Sequence, residues 1–317
     1  MSVFYESPIV YAVKHKDEEI RAKSRSGGIF TALSDYILEQ NGVVYGCVLD
    51  ENFKAVHVRA ESFEDRNLMR GSKYIQSNML DCYKQAKNDL FSGKIVLFSG
   101  TSCQISGLKG FLGQEYDNLL CVDIVCHGVP SPLVWEKYLE WQEKKNKSKV
   151  KSVDFRNKSK FGWKAHIETI VFENDKNVDS DIFKRIFYGH YALRPSCYKC
   201  PYKSIMHPAD VTIADYWGID DAIPGFNDNK GVSLVLLNTE KGSGFFEKVK
   251  NYCNFTEAEI SKSLQPPLKA PFQQPADRKK FWDNFHNKSF DHIVKKYGTV
   301  SLFSKLKKKI KRVLNCN

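Results

Sequence analysis

The sequence predicts an α/β protein with a mixed or mostly parallel sheet flanked by helices, a second α+β lobe and a C-terminal basic amphipathic helix. Two short runs, 95–98 and 119–125, are almost wholly apolar, which is typical of strands covered on both faces in a parallel sheet. Each run leads into a predicted helix, as in α/β folds. With 317 residues, 42% of them hydrophobic, the chain can bury a large core, and this excludes disordered proteins and small disulfide-rich scaffolds.

Local patterns give the elements of the first half. Ser131 at an N-cap followed by Pro132 at the first helical position is the strongest start signal among them. The other assignments rest on the spacing of apolar residues. In chain order we predict helix 28–40, strands 43–48 and 56–58, helix 79–91, strand 95–98, a helix that reaches Phe111, strand 119–125 and helix 132–145.

A lysine-rich stretch at 145–151 predicts a loop between two lobes. We therefore expect three parts: an α/β region over 1–146, an α+β region with a C-x-x-C loop over 147–298, and a basic amphipathic tail over 299–317. For the second part we predict strands at 153–156, 166–172, 211–216 and 232–237 and a helix at 181–191.

Lysine and arginine outnumber aspartate and glutamate by 48 to 37, a net charge of +11. Six of these cations lie at 305–312 with no acid among them, so the rest of the chain carries 11 − 6 = +5. Apolar residues recur at helical spacing over 300–314, and such a helix either lies on an anionic membrane surface or packs on the body as a solvated tail. Aromatic residues do not interleave with a basic stripe on the body, so we do not expect nucleic acid as a partner.

The sequence has no apolar run of the length that spans a membrane. Residues 1–16 contain Glu6 and lack the apolar core of a secretory signal. We therefore expect a cytoplasmic protein, peripheral on the inner face of the membrane if the basic helix binds there.

Nine cysteines, an odd number, favour free thiols or metal ligation over a disulfide framework. Cys197 and Cys200 form a C-x-x-C pair, which supplies half of a tetrahedral site. Cys103 and Cys126 each follow a predicted buried strand, and the loops after parallel strands gather at one edge of the sheet. Four thiolates suit either an iron–sulfur cluster or zinc, and the spacing alone leaves both open.

Three further features carry alternative interpretations. The sequence does not identify a catalytic residue. His127 is the one candidate, and otherwise it is a hydrogen-bonding partner of a cofactor or an ordinary loop histidine. Two glycine- and serine-containing segments either cradle a phosphate with their amide groups or simply cap helices. The residues of these segments that we predict to bind a cofactor are Ser26, Gly27, Gly28, Gly71, Ser72, Lys73, Tyr74, Gln76 and Ser77. The sequence has no dinucleotide G-x-G-x-x-G fingerprint and no P-loop.

Six segments occur in an order that resembles the coenzyme F-420 hydrogenase/dehydrogenase beta-subunit family, in its bacterial form. The similarity extends over about residues 24–238 and is far more specific than any one motif. The segments are SGGIF at 26–30, GSKYIQS at 71–77, GTSCQ at 100–104, CHGVPSP at 126–132, LRPSCYKC at 193–200 and DYWG at 215–218.

The resemblance implies FAD beside a 4Fe-4S cluster. The glycine–serine segments would hold the flavin within the first part of the chain, and Cys103, Cys126, Cys197 and Cys200 would hold the cluster. The implied function is an oxidoreductase that passes electrons between a one-electron carrier and a small molecule that accepts or donates hydride, with a link to cell-surface polysaccharide synthesis.

Many relatives begin with a cysteine-rich ferredoxin-like module, and this sequence has no cysteine before Cys47. The resemblance therefore implies a separate ferredoxin-like carrier or partner subunit. Two other functions remain open: a zinc-stabilised protein that docks on a partner or membrane, and a transferase of polysaccharide synthesis without redox chemistry.

Overall fold

The structure is a computed structural model that describes residues 3–299. The predicted basic helix at 300–314 and Cys316 lie outside these residues. Within the described part of the chain, no helix is both long enough and apolar enough to cross a membrane.

Residues 3–299 form eleven strands and thirteen α-helices. The strands are β1 (Phe4–His15), β2 (Val43–Leu49), β3 (Ala55–Ala60), β4 (Val96–Thr101), β5 (Leu119–Ile124), β6 (Val150–Asp154), β7 (Glu168–Phe172), β8 (Asn177–Ser180), β9 (Val211–Asp215), β10 (Ser233–Thr239) and β11 (Cys253–Glu257). The helices are α1 (Glu18–Lys23), α2 (Ile29–Glu39), α3 (Phe63–Asn67), α4 (Cys82–Phe91), α5 (Ser102–Leu112), α6 (Pro132–Asn146), α7 (Lys158–Phe161), α8 (Ile182–Tyr188), α9 (Ile219–Ala222), α10 (Glu240–Val249), α11 (Ile260–Ser263), α12 (Arg278–Asn287) and α13 (Phe290–Tyr297).

Eight strands form one large sheet in the order β11-β1-β10-β9-β5-β4-β2-β3. The neighbours β2, β4, β5 and β9 run parallel to one another. The outer strands β3, β10, β1 and β11 extend the sheet through antiparallel pairs. This mixed sheet with flanking helices confirms the predicted fold class.

Helices cover both faces of the central strands, which explains why their sequences are almost wholly apolar. Leu97 of β4 packs with α2 on one face. Its neighbours Val96 and Phe98 pack with α4 and α5 on the other face. All three side chains are fully buried. A strand buried on both sides cannot alternate apolar and polar residues, because neither face meets water.

A second, antiparallel sheet of β6, β7 and β8 confirms the smaller α+β lobe. Its aromatic core includes Trp135 from α6, Phe183 from α8 and Phe281 from α12. The large sheet, however, also contains β9, β10 and β11, which come from beyond the expected boundary at 146/147. The three-part division therefore stays a prediction.

The sequence patterns missed β1, which pairs with both β10 and β11 in the large sheet. Pro8 lies within this strand, and its pairing with β10 shifts in register between Phe4 and Ile9. Proline cannot donate to the strand ladder, so its presence argues against a strand when only the sequence is read. By contrast, α6 begins at Pro132 after Ser131, as predicted.

Candidate functional site

A cavity of about 550 Å³ opens where the parallel strands β4, β5 and β9 end. Its floor comes from 99–101, 124–126 and 213–215, at the carboxyl ends of these strands. Residues from 24–31 and 69–77 form its walls. The cavity thus lies at the sheet edge where open α/β folds bind ligands.

Seven of the nine residues predicted to bind a cofactor line this cavity. Gly27 and Gln76 are not among the lining residues. Gly27 packs between β1 and β10, where an added Cβ would lie only 2.1 Å from the carbonyl oxygen of Val13. Its N–H donates to the Ser233 hydroxyl at 2.9 Å. The lining residues are Ser26, Gly28, Gly71, Ser72, Lys73, Tyr74 and Ser77.

The N-terminus of α2 borders the cavity. Gly28 is the N-cap in a left-handed conformation, φ +97°, and no side chain caps the helix. Ile29, Phe30 and Thr31 of the first turn line the cavity. The unpaired N–H groups and the helix dipole make this end of the helix suitable for a phosphate.

The cavity wall is strongly cationic. Four cationic side chains line it, Arg25, Arg70, Lys73 and Arg156, against one carboxylate, Asp215. The Arg156 guanidinium pairs with this carboxylate at 2.6 Å. Within residues 3–299 the other three cations have no carboxylate at ion-pair distance. Three positive charges therefore remain for a ligand.

Two of these cations, Lys73 and Arg25, donate hydrogen bonds to backbone carbonyl oxygens. A carbonyl oxygen carries no full negative charge, so it does not neutralise the cation. Lys73 donates to the carbonyls of Leu68, Met69 and Arg70 at 2.9–3.0 Å, and burial lowers its pKa to about 8. Arg25 donates to two backbone carbonyls, and burial lowers its pKa, assisted by the nearby Arg156. The Nε atoms of Arg25 and Arg70 are buried with no partner in the described residues. Buried donors of this kind suit an anionic ligand.

Backbone pairing brings Cys126 to the C-x-x-C segment. The loop after β5 forms an antiparallel bridge between Pro130 and Leu193. The Arg194 N–H donates to the Val129 carbonyl at 2.9 Å, and three residues later comes Cys197. A segment that follows β5 is therefore fixed against the segment that carries the C-x-x-C motif.

A cluster of buried polar side chains also connects the segments that carry the predicted cysteine ligands. His207 Nδ1 lies 2.8 Å from Asp123 of β5 and 3.2 Å from the Ser102 hydroxyl. All three side chains are buried. Ser102 immediately precedes Cys103, and His207 follows Cys200 by seven residues. This contact links all three stretches of chain that carry the predicted metal ligands.

The four predicted ligands, Cys103, Cys126, Cys197 and Cys200, are called here the four-cysteine site. Burial raises the pKa of Cys126 to about 11, and the thiols of Cys197 and Cys103 add to this shift. Burial also raises the pKa of Cys197, to which Cys103 and Cys200 contribute. The Gly128 N–H donates to the Cys126 sulfur at 3.3 Å, and a Cβ added at Gly128 would lie 3.5 Å from the Cβ of Cys197, so these two cysteines flank the same residue. Among residues 3–299, no group of three or more His, Cys, Asp or Glu side chains is arranged so that it could hold a metal ion.

Sequence comparison now identifies the family. Residues 93–263 match the model for the C terminus of the coenzyme F420 hydrogenase/dehydrogenase beta subunit. Residues 10–84 match the model for the N-terminal part of the same subunit. The chain belongs to the coenzyme F420 hydrogenase/dehydrogenase beta subunit family. This membership confirms the resemblance and places the chain among oxidoreductases.

The fold is similar to a chain of the F420-reducing NiFe hydrogenase complex from Methanosarcina barkeri, solved with xenon. The TM-score is 0.53 and the sequence identity 21%, over 81% of this chain and 83% of that chain. A search of curated proteins finds no match.

His127 lies in the cavity wall and is held by other rings. Its Nε2 lies 2.8 Å from Nε2 of His190, and its ring centroid lies 4.1 Å from that of Phe272. Burial, with help from His190 and Lys203, lowers the pKa of His127 to about 3, so the ring is neutral near pH 7. A role toward a cofactor in this family member stays a prediction.

The sequence analysis did not predict several residues that line the cavity. Their role depends on contacts with residues that are distant in the sequence. Asp215 accepts from Arg156 and, at 2.7 Å, from Trp163 Nε1. Trp163 in turn stacks on Trp217, with ring centroids 5.2 Å apart. Asp215 and Trp217 belong to the DYWG segment that helped to identify the family. That segment was the available signal, but its sequence does not reveal that it faces the cavity.

Proposed function

We propose that this protein is an FAD- and iron–sulfur-dependent oxidoreductase that passes electrons between a one-electron carrier and a small molecule that accepts or donates hydride. The observation that carries the proposal is the contact between two regions. Cys126 belongs to the four-cysteine site and also lines the cationic cavity. A metal group at the four-cysteine site and a flavin in the cationic cavity would therefore be neighbours.

The cavity supports the FAD part of the proposal. A dinucleotide carries a pyrophosphate, and the unpaired Arg25, Arg70 and Lys73 supply the cations that it requires. The N-terminus of α2 supplies amide donors beside them. Gly71, which also lines the cavity, has φ +81° and no atom within 4 Å of an added Cβ, so its backbone is accessible to a ligand.

The four-cysteine site supports the iron–sulfur part. Zinc binds thiolates at about 2.3 Å, so its four sulfurs lie within roughly 4 Å of one another. An iron–sulfur cluster is larger than one ion and holds its cysteines farther apart. Four cysteines as the only ligands suit a cluster, and membership in a hydrogenase/dehydrogenase family favours the cluster over zinc.

When bound, a flavin exchanges two electrons as hydride or one electron at a time, and the cluster exchanges single electrons. The residues of the chain would then have defined tasks. Arg25, Arg70 and Lys73 would hold the pyrophosphate, and the aromatic side chains that line the cavity would limit the access of water to the ring. The substrate, its link to polysaccharide synthesis and the carrier or partner subunit remain predictions.

The test is purification of the full chain without oxygen, followed by a visible spectrum and measurement of flavin, iron, sulfide and zinc. We expect about one flavin and four irons per chain. Cys200→Ser should lose iron while keeping flavin, and the matched control Cys253→Ala, a buried cysteine of β11, should keep both. A colourless wild-type protein without iron would overturn the proposal. Zinc without flavin would instead support the docking function.

A further inference from the structure

Lys203 is a buried cation beside the four-cysteine site. It follows Cys200 by three residues, and only 6% of its surface is exposed. Its Nζ donates to the carbonyl oxygen of Cys126. The ammonium also lies 5.4 Å from the ring centroid of Phe272, which lines the cavity. Lys203 thus stands between the cysteines and the cavity.

The charges around Lys203 are unusual for a buried lysine. No carboxylate within residues 3–299 lies at ion-pair distance from its ammonium. Burial lowers the pKa of Lys203, and the thiols of Cys126, Cys200, Cys197 and Cys103, in that order, raise it. Because the Lys203 ammonium contacts Cys126 and Lys203 follows Cys200 by three residues, thiolates at the four-cysteine site would supply the negative charge that a buried ammonium requires.

We propose that Lys203 is a positioning residue whose charge favours assembly of the cluster and raises its reduction potential. This inference rests on the proposed function. A cluster with four thiolate ligands carries negative charge, and reduction adds one electron without forming a bond. A fixed cation in a dry environment stabilises the added charge, so it favours the reduced state. The electron comes from the one-electron carrier of the proposed function.

The hydrogen bond and the charge of Lys203 can be separated by substitution. Lys203→Arg keeps both the donor and the charge, whereas Lys203→Gln keeps a donor but removes the charge. Lys203→Met removes both. Lys199→Gln is the matched control, because Lys199 lies within the same C-x-x-C loop but is exposed.

The experiment loads each full-length variant with iron and sulfide without oxygen, measures iron content and folding by circular dichroism, and titrates the cluster with dithionite while recording its EPR signal. Lys203→Gln and Lys203→Met should lower the equilibrium constant for reduction at least tenfold, which is about 59 mV for one electron. Lys203→Arg and Lys199→Gln should stay within threefold of the wild type. Folded but iron-free neutral variants beside an iron-loaded Lys203→Arg would also support the proposal.

Three results would overturn it. Lys203→Gln could bind iron at the wild-type potential, all three variants including Lys203→Arg could lose iron, or the neutral variants could fail to fold, which would assign Lys203 to the fold alone. A wild-type protein that binds no iron would defeat the proposed function itself. Iron-loaded wild type with an unchanged Lys203→Gln would defeat only this inference.

Discussion

The cavity wall and the four-cysteine site are built in different ways, although they meet at Cys126. Much of the wall comes from two short continuous segments, 24–31 and 69–77, which carry three of its four cations. The four-cysteine site joins three distant stretches through backbone pairing and the buried contact of Asp123 with His207. Loss of one residue should therefore weaken the wall by degrees, whereas it should disrupt the four-cysteine site as a unit.

The largest effect should come from Asp123→Ala, which leaves His207 buried without its carboxylate. We expect unfolding to be easier by about 3 kcal/mol, since removing one partner of a buried pair is strongly destabilising, and iron to be lost. Denaturant unfolding and iron analysis measure these effects. The matched control Asp117→Ala removes an exposed carboxylate and should change neither. A stable, iron-loaded Asp123→Ala would show that the site is not a cooperative unit.

Glu168 in β7 gives a second large effect, remote from both regions. Burial raises its pKa to about 8, so the folded state holds a proton that the unfolded chain releases near pH 4.5. The contribution of Glu168 to stability is therefore fully present below the unfolded pKa and is lost as pH rises toward 8, by about 1.4 kcal/mol per unit at most. Unfolding at several pH values should show a flatter profile for Glu168→Gln. An equally steep profile would contradict this assignment.

A smaller effect should follow from Arg25→Ala in the cavity wall. The loss of one charged donor should weaken FAD binding about tenfold, or 1.4 kcal/mol, without loss of iron. Lys23→Ala is the control, because Lys23 is exposed and paired with Glu19. Flavin fluorescence titration measures both. If Arg25→Ala also lost iron, the two regions would not be separable.

The smallest effect concerns pH. Lys73 has a pKa of about 8, lowered by burial, so it loses its charge as pH rises above that value. FAD binding should weaken severalfold between pH 7 and 9. Lys73→Arg should bind FAD with much less dependence on pH, since arginine stays protonated. FAD titrations of the wild type and of Lys73→Arg at several pH values measure this effect. An equal pH dependence of FAD binding in the two proteins would exclude Lys73 as its source.

Local chemistry explains which features the sequence could predict. Proline after serine is a helix start signal that depends only on neighbouring residues, and α6 begins at Pro132 after Ser131. The apolar run 95–98 predicts a strand with both faces buried, as β4 shows. By contrast, the hydrogen-bond partners of Asp123 and Lys203 lie more than 70 positions away in the sequence. No local pattern announces such contacts. Gly27 is predicted to bind a cofactor, and the structure shows it closely packed against Val13 and Ser233. Glycine before a helix serves close packing and anion binding equally well, so the sequence does not distinguish the two.

The bridge between Pro130 and Leu193, with the bond from Arg194 N–H to Val129, is made by the main chain alone. Most side-chain replacements along it leave these atoms in place, and at position 194 proline is the exception. Homologous proteins could therefore diverge widely in these loops, and so change what they recognise, while Cys126 and Cys197 keep their separation.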